Sequence, residues 1–408
     1  MKQRRNILII TAIFPYPLNS GGAQAQFSIV NELRREHNVF IMFNQNRENR
    51  LENMERLAEM WPEVRFIPYM QRTQMRNIHF MFNMLKRGLQ TYLTPRSRRL
   101  YVDKAIRSVS IYKSGRLERF IRDVIEKYDI DIVQTEFYPT IGLVDCFPDH
   151  VLKVFIQHEI HFIKNERLFK NIKLTRREMR LNEESREFEI SCLNAYDVVV
   201  TLTDKDKTLL EENGVKTNIC VSPAAVITEE KPYKEYEGRL TFVGSSSHTP
   251  NREGAAWFIE MVAPMLKDVQ NLSMDLIGAG WSGVESDSIS VNVRGFVDDL
   301  SQAIQGSIMI VPILSGSGMR MKILEAAAVS VPFITTSVGV EGLDFVNGES
   351  CLIADTPEQF AGAIRSLIAD RDLCRRLGEA ANEVFRQKYT AKVLARVRNE
   401  VYIRHSKK

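Results

Sequence analysis

The chain has 408 residues, of which 44% are hydrophobic and 26% charged, and a formal net charge of +4. That length exceeds what one core ordinarily serves, so two domains are expected; the composition excludes a disordered or fibrous chain, and the charge is too mild to imply nucleic-acid binding. Five dispersed cysteines, odd in number and without a C-x-x-C pair, support neither a zinc site nor a disulfide framework.

The N-terminal "MKQRRNILIITAIF" imitates a secretory leader, with a basic start and an apolar run. The run is only Ile7 to Phe14, however, and prolines and glycines come at once after it, so it reads as a buried first strand. "FPYPLNSGGAQAQF" then turns into an amphipathic segment whose Ala23, Phe27, Val30 and Leu33 recur at helical spacing, before the strand-like "NVFIMF". From Met70 to Arg122 there are thirteen Lys or Arg against two acidic residues. This stretch interleaves Met, Phe and Leu with its cations. Two readings stand: an amphipathic helix pair with a solvated basic face, or a surface for an anionic membrane. Nowhere does an apolar run approach the ~20 residues that span a bilayer, and a cytoplasmic protein, at most at the inner face of the membrane, is expected.

"DIDIVQTEF", "LKVFIQHE" and "AYDVVVTLT" continue the first half as short β-rich runs between helical patterns. The segment 223–237 has two prolines, mixed charge and no period, and reads as a linker. At Gly238 the pattern restarts: "GRLTFVGSSSHTPNREGAAWFIEMVAPMLKDVQNLSMDLIGAGW" is strand, small-residue loop, helix, strand, and "VNVRGFV", "SIMIVPI", "VPFITT" and "SCLIA" come after it. Each half is the opening of a parallel sheet whose ligand site forms where strand C-termini meet helix N-termini. Two doubly wound domains facing across a cleft are expected: 1–222, and 238–388 after the linker, with a closing helix at 389–408 packing back on the first.

The most informative stretch is "SGSGMRMKILEAAAVSVP", Ser315 to Pro332. It is a glycine loop after the buried strand "SIMIVPI" that opens into a helix former. Glycines let backbone amides approach an anion, the helix terminus adds partial positive charge, and Arg320 and Lys322 add full charges. The combination suits a diphosphate. Glu325, one turn on, suits vicinal ribose hydroxyls. The plain alternative is a turn with solvated basic residues, which would have to explain cations placed against the helix macrodipole.

"GSGMRMKILEAAAVSVPFITTSVGVEGL" resembles the nucleotide-sugar motif of the family 4 retaining glycosyltransferases, in the branch with GSG-x-R-x-K. "FPYPLNSGGAQ", "HEIHF", "YDVVVTLTDKDKTLL" and "FVGSSSHTPNREGAAWF" are similar to further segments of that family in the same order. The resemblance implies a GT-B fold, that is, an α/β chain of two Rossmann-like domains. It implies that Arg320 and Lys322 neutralise the diphosphate, that Glu325 holds the ribose, and that Gly244, Ser245, Gly316, Ser317, Gly318 and Met319 complete the donor pocket. Phe296 and Val297, within "RGFV", would border the base. Gly21 and Gly22 would approach the sugar or acceptor, and His158 would reach the sugar or β-phosphate. Ser317 stands where the family has a first glutamate, so one customary carboxylate is missing.

The reaction so implied is sugar transfer, with retention, from a nucleoside diphosphate sugar to a glycan or lipid-linked acceptor in surface polysaccharide synthesis, without cofactor or metal. The alternatives are a nucleotide-sugar epimerase of the same fold or a catalytically silent scaffold. Two decoys carry less weight. "GAGWSG", Gly278 to Gly283, matches a dinucleotide fingerprint but no helix pattern opens after it. "DID" at Asp129 and "DKD" at Asp204 imitate a metal motif but read as a strand entry and a helix start.

Overall fold

The computed structural model describes residues 4–407 except 19, 46–49, 70–114, 171, 229, 317 and 318. Its contacts divide the chain into two units: Met1–Ala23, Val30–Ser222 and Val397–Lys408 form the first, Gln24–Ile29 and Pro223–Arg396 the second.

The first unit holds β1 (Asn6–Thr11), β2 (Asn38–Asn44), β3 (Arg65–Tyr69), β4 (Ile132–Glu136), β5 (Leu152–Gln157), β6 (Val198–Thr201) and β7 (Asn218–Val221). They pair in the order β3-β2-β1-β4-β5-β6-β7, every pair parallel. A parallel sheet is covered on both faces, which is why its central strands are near-continuous apolar runs. Ile7 through Ile10 and Val198 through Val200 are all essentially inaccessible. Helix Gly115–Lys127 shows the complementary pattern. Leu117, Ile121, Val124 and Ile125 enter the core, while Arg116, Arg119 and Arg122 face water. The rest of the basic stretch, with the membrane expectation resting on it, lies outside the described residues.

The second unit holds β8 (Arg239–Val243), β9 (Ser273–Ile277), β10 (Ser290–Gly295), β11 (Ser307–Val311), β12 (Phe333–Thr335) and β13 (Leu352–Ile353), ordered β10-β9-β8-β11-β12-β13 and again all parallel. In both sheets the winding reverses beside the first strand, between β1 and β4 and between β8 and β11. Open parallel sheets bind ligands outside the C-terminal ends of the strands at that reversal.

The described residues of 223–237 carry no helix or strand, and they are fastened to the second unit. Lys231 N donates to Ala328 O at 3.2 Å, Glu237 N donates to Gly306 O at 2.8 Å, and Tyr233 and Tyr236 pack on its core. The closing helix is Ala391–Arg404. From Val397 onward it belongs to the first unit, where Tyr402 is buried and Lys407 Nζ lies 2.7 Å from Asp197. Among the described residues, no helix is long and apolar enough to cross a membrane.

Candidate functional site

In the second unit, the loop after β11 leads to helix Met321–Ala328, for which Arg320 is the N-cap residue. The helix is buried over most of its surface: Ile323, Leu324 and Ala326 to Ala328 are inaccessible. Its far end is capped from helix Arg371–Lys388, where Asn382 Nδ2 donates to Ala327 O at 3.0 Å and Ala328 O at 2.9 Å. A helix held so firmly fixes what its first turn presents. Arg320 is 8% exposed and Glu325 5%. Ser317 and Gly318 are outside the described residues; Gly316 has φ 109°, a conformation that glycine adopts without strain.

Lys322 is not on a solvent-facing loop end, as its position after the glycine loop suggests. It occupies the first helical turn, half-buried, with Nζ 4.3 Å from the centre of the Phe242 ring on neighbouring β8. Nζ also donates to Asn251 Oδ1 at 2.8 Å. Burial, and secondarily the Arg320 charge, pull the ammonium down to about 7, with Glu325 opposing. Burial likewise pushes the Glu325 carboxyl up to about 7 against the pull of Lys322. Both groups therefore sit where a small electrostatic change alters their ionisation.

Gly244 and Ser245 lie in the loop at the end of β8, beside this helix. Asn251, in helix Thr249–Trp257, ties the two together: its Nδ2 donates to Ser245 O at 3.0 Å while its Oδ1 accepts from Lys322. The loop after β9 braces the other side, where Trp281 Nε1 donates to Gly244 O at 2.6 Å. A Cβ at Gly278 would strike Gly244 O, which explains the glycine without any dinucleotide, and no helix opens between it and β10. Val297 is half-buried against the same core on which Met319 packs, and Phe296 stands 67% exposed just past β10. Asn251 and Phe242 carry no mark in the sequence, because nothing local signals that β8 and the helix after it lie under Lys322.

In the first unit, the elements at the β1/β4 reversal meet. Ser20 caps helix Gly21–Glu36, accepting from Ala23 N at 3.3 Å, so Gly21 and Gly22 form its first turn. A Cβ at Gly22 would lie 3.1 Å from the Phe137 ring and 3.2 Å from Ile13. Phe137 comes directly after β4 and stacks on the His158 imidazole, centroids 4.0 Å apart and planes 12° apart. His158 Nε2 lies 3.0 Å from Glu136 Oε2. The segment after His158 is anchored too: Glu189 accepts from the amides of His161 at 3.0 Å and Phe162 at 2.9 Å. Burial pushes that carboxyl up to about 7 in spite of these bonds.

One aspartate of each metal-like motif is otherwise engaged. Asp131 Oδ2 accepts from Asn6 N at 2.9 Å, and Asp206 Oδ2 accepts from the helix-capping Thr203 hydroxyl at 2.9 Å. Among the described residues no group of three or more His, Cys, Asp or Glu is arranged to hold a metal ion.

Residues 237–370, which contain the Lys322 site, match the family described as "Glycosyl transferases group 1". Over 135 residues the chain is 29% identical to an "Uncharacterized 44.6 kDa protein in cps region" of Klebsiella pneumoniae; the match covers 30% of this chain and only 35% of that protein. The structure is similar to sucrose-phosphate synthase from Thermosynechococcus elongatus, with TM-score 0.68 and 14% identity over 98% of this chain and 99% of that one. It is also similar to HepE of Anabaena in complex with UDP-glucose, with TM-score 0.64 and 11% identity over 97% and 99%. At such identities the structural likeness speaks for the fold alone. The chain has the GT-B fold, and residues 237–370 of its second unit are similar to the glycosyl transferases group 1 family.

Proposed function

We propose that the protein is a retaining glycosyltransferase that moves a sugar from a nucleoside diphosphate sugar to a glycan or lipid-linked acceptor in polysaccharide synthesis. The observation that carries the reading is the grouping of Arg320, Lys322 and Glu325 within the first two turns of one immobilised helix at the winding reversal of the second sheet. The family match over the same residues, the cps-region relative and the likeness to a protein solved with UDP-glucose support it.

In this reaction the bond between the anomeric carbon and the β-phosphate oxygen breaks. The acceptor oxygen bonds to that carbon on the same face, and a β-phosphate oxygen takes the acceptor proton. The task of the protein is to stabilise charge developing on the leaving diphosphate. Arg320 offers a fork of donors and Lys322 a point charge, supplying without a metal the positive field that the step requires. Glu325 accepts from the ribose hydroxyls. The loop at Gly244 and Ser245 and the stretch from Gly316 to Met319 surround the phosphates, and Phe296 and Val297 border the base. His158 and the Gly21–Gly22 turn serve the sugar and acceptor.

The test is incubation with UDP-, GDP- and ADP-sugars and glycan or lipid-linked acceptors, with NMR of the product's anomeric proton. Transfer with the donor's own configuration is expected. A product of opposite configuration overturns retention; epimerised nucleotide sugar without transfer overturns the transferase reading.

A further inference from the structure

Behind His158 runs a chain of buried polar groups whose direction can be read. Arg398, in the closing helix, carries only donors. Its Nη1 lies 3.2 Å from Gln134 Oε1, which also accepts from the Tyr402 hydroxyl at 2.5 Å. The Gln134 amide is thereby oriented, and its Nε2 must donate onward, which it does to Glu136 Oε1 at 2.5 Å. The second carboxylate oxygen is left facing His158 Nε2 at 3.0 Å. Glu136 itself is almost inaccessible. Burial pushes its carboxyl up, but His158 and Arg398 outweigh that and hold it below the usual carboxylate range. An ionised carboxylate only accepts, so the hydrogen between the two residues belongs to His158 Nε2.

The other faces of the imidazole are also constrained. Phe137 covers one side of the ring. To do so it takes φ 70° and ψ 143°, a backbone conformation rare for any residue with a side chain; such strain persists where the surrounding structure enforces it. Gly22 closes on the Phe137 ring. Nδ1 has no hydrogen-bond partner among the described residues, and the His158 side chain keeps 14% of its surface exposed.

We propose that Glu136 is the positioning residue of His158: with the Phe137 ring it fixes the imidazole as the Nε2–H form and presents Nδ1 as the working nitrogen toward sugar or phosphate. The proposal rests on the role given to His158 above. It assigns a purpose to the buried Gln134–Arg398–Tyr402 cluster, which holds the carboxylate from behind.

Two measurements test it. Long-range proton–nitrogen correlation on the intact protein labelled at histidine, with His158→Gln used for assignment, reads the tautomer directly. A proton on Nε2 is expected, and a ring protonated at Nδ1 alone overturns the proposal whatever the enzyme transfers. In turnover, Glu136→Gln is expected to lower kcat by about 10–100-fold, as when a proton-transfer partner is misoriented, with donor KM nearly unchanged. Placed on His158→Ala, the same change should alter the residual rate by less than about 2-fold, because the two residues act as one unit. Equal losses in both backgrounds would mean a merely structural carboxylate and would overturn the proposal. Wild-type turnover in Glu136→Gln would do the same. Wild-type turnover in His158→Ala would instead remove His158 from the proposed reaction, leaving the tautomer result to stand or fall alone.

Discussion

Replacing Lys322 by methionine separates what its ammonium costs the fold from what it does for a ligand. Methionine keeps the unbranched stem over Phe242 and removes the charge. An ammonium that ordinarily titrates at 10.5 and is pulled to about 7 costs the native state about 4 kcal/mol at pH 7, to within a unit or so of pKa. Against that gain stand a cation–π contact of about 1–2 kcal/mol and the Asn251 Oδ1 left without its donor, about 1–3 kcal/mol. The net expectation is a variant as stable as wild type or about 1 kcal/mol more so, a rise of roughly 2 °C in melting temperature. Because the native pKa lies below the unfolded one, the cost is complete below about pH 7 and absent above the unfolded value. The cost should therefore fall by about half, roughly 2 kcal/mol, between pH 7 and pH 9, so any advantage of methionine at pH 7 should be gone at pH 9. In the same scans a nucleoside diphosphate at a hundred times its Kd stabilises wild type by about 2.7 kcal/mol, and the variant should lose most of that shift. A variant that melts several degrees lower at pH 7 while still responding to the nucleotide would refute the reasoning on both counts.

The same geometry sets further outcomes. Glu325→Ala should weaken donor binding by about 30-fold or more through loss of charge-assisted bonds to the ribose, read by calorimetry; unchanged affinity would remove the ribose role. Since Lys322 and Glu325 both sit near 7, donor binding should take up close to one proton at pH 8, where Lys322 is largely neutral, and release protons at pH 6, where Glu325 is largely protonated. Calorimetry in buffers of different ionisation enthalpy gives the sign, and pH-independent proton counts would contradict both shifts. Gly22→Ala should cost about 1–3 kcal/mol by overpacking on Phe137 and Ile13, with a larger loss in kcat than its melting temperature alone explains. Retained kcat in a destabilised protein would detach Phe137 from the site.

The repeated architecture is legible because a parallel sheet writes its buried strands as apolar runs, and "NILIIT", "SIMIV" and their neighbours do so. The strands without such a signature, β3 and β7, are the two edges of the first sheet. β3 contains Pro68, which an edge tolerates and a central strand does not, and β7 is only half-buried. Positions of the cations are legible as well, since glycine loops before helices have a local signature. Their surroundings are not. Lys322 is bedded on Phe242, 80 positions earlier, and Glu136 reaches His158 only because β4 and β5 are neighbours. A lone glutamate at a strand end carries no pattern that distinguishes it from a surface residue, although the strand itself is plain.

The assignment of Val397–Lys408 to the first unit has a consequence for how the protein is made. Domains generally fold in the order they leave the ribosome. Here the first unit lacks Arg398, Asn399 and Tyr402 until the residues that come after the second unit have been synthesised. Gln134 and His37, both buried, wait for them. The unit whose strands are synthesised first is therefore completed after the other. A chain ending at Arg396 would contain every residue of the second unit and lack these partners of the first.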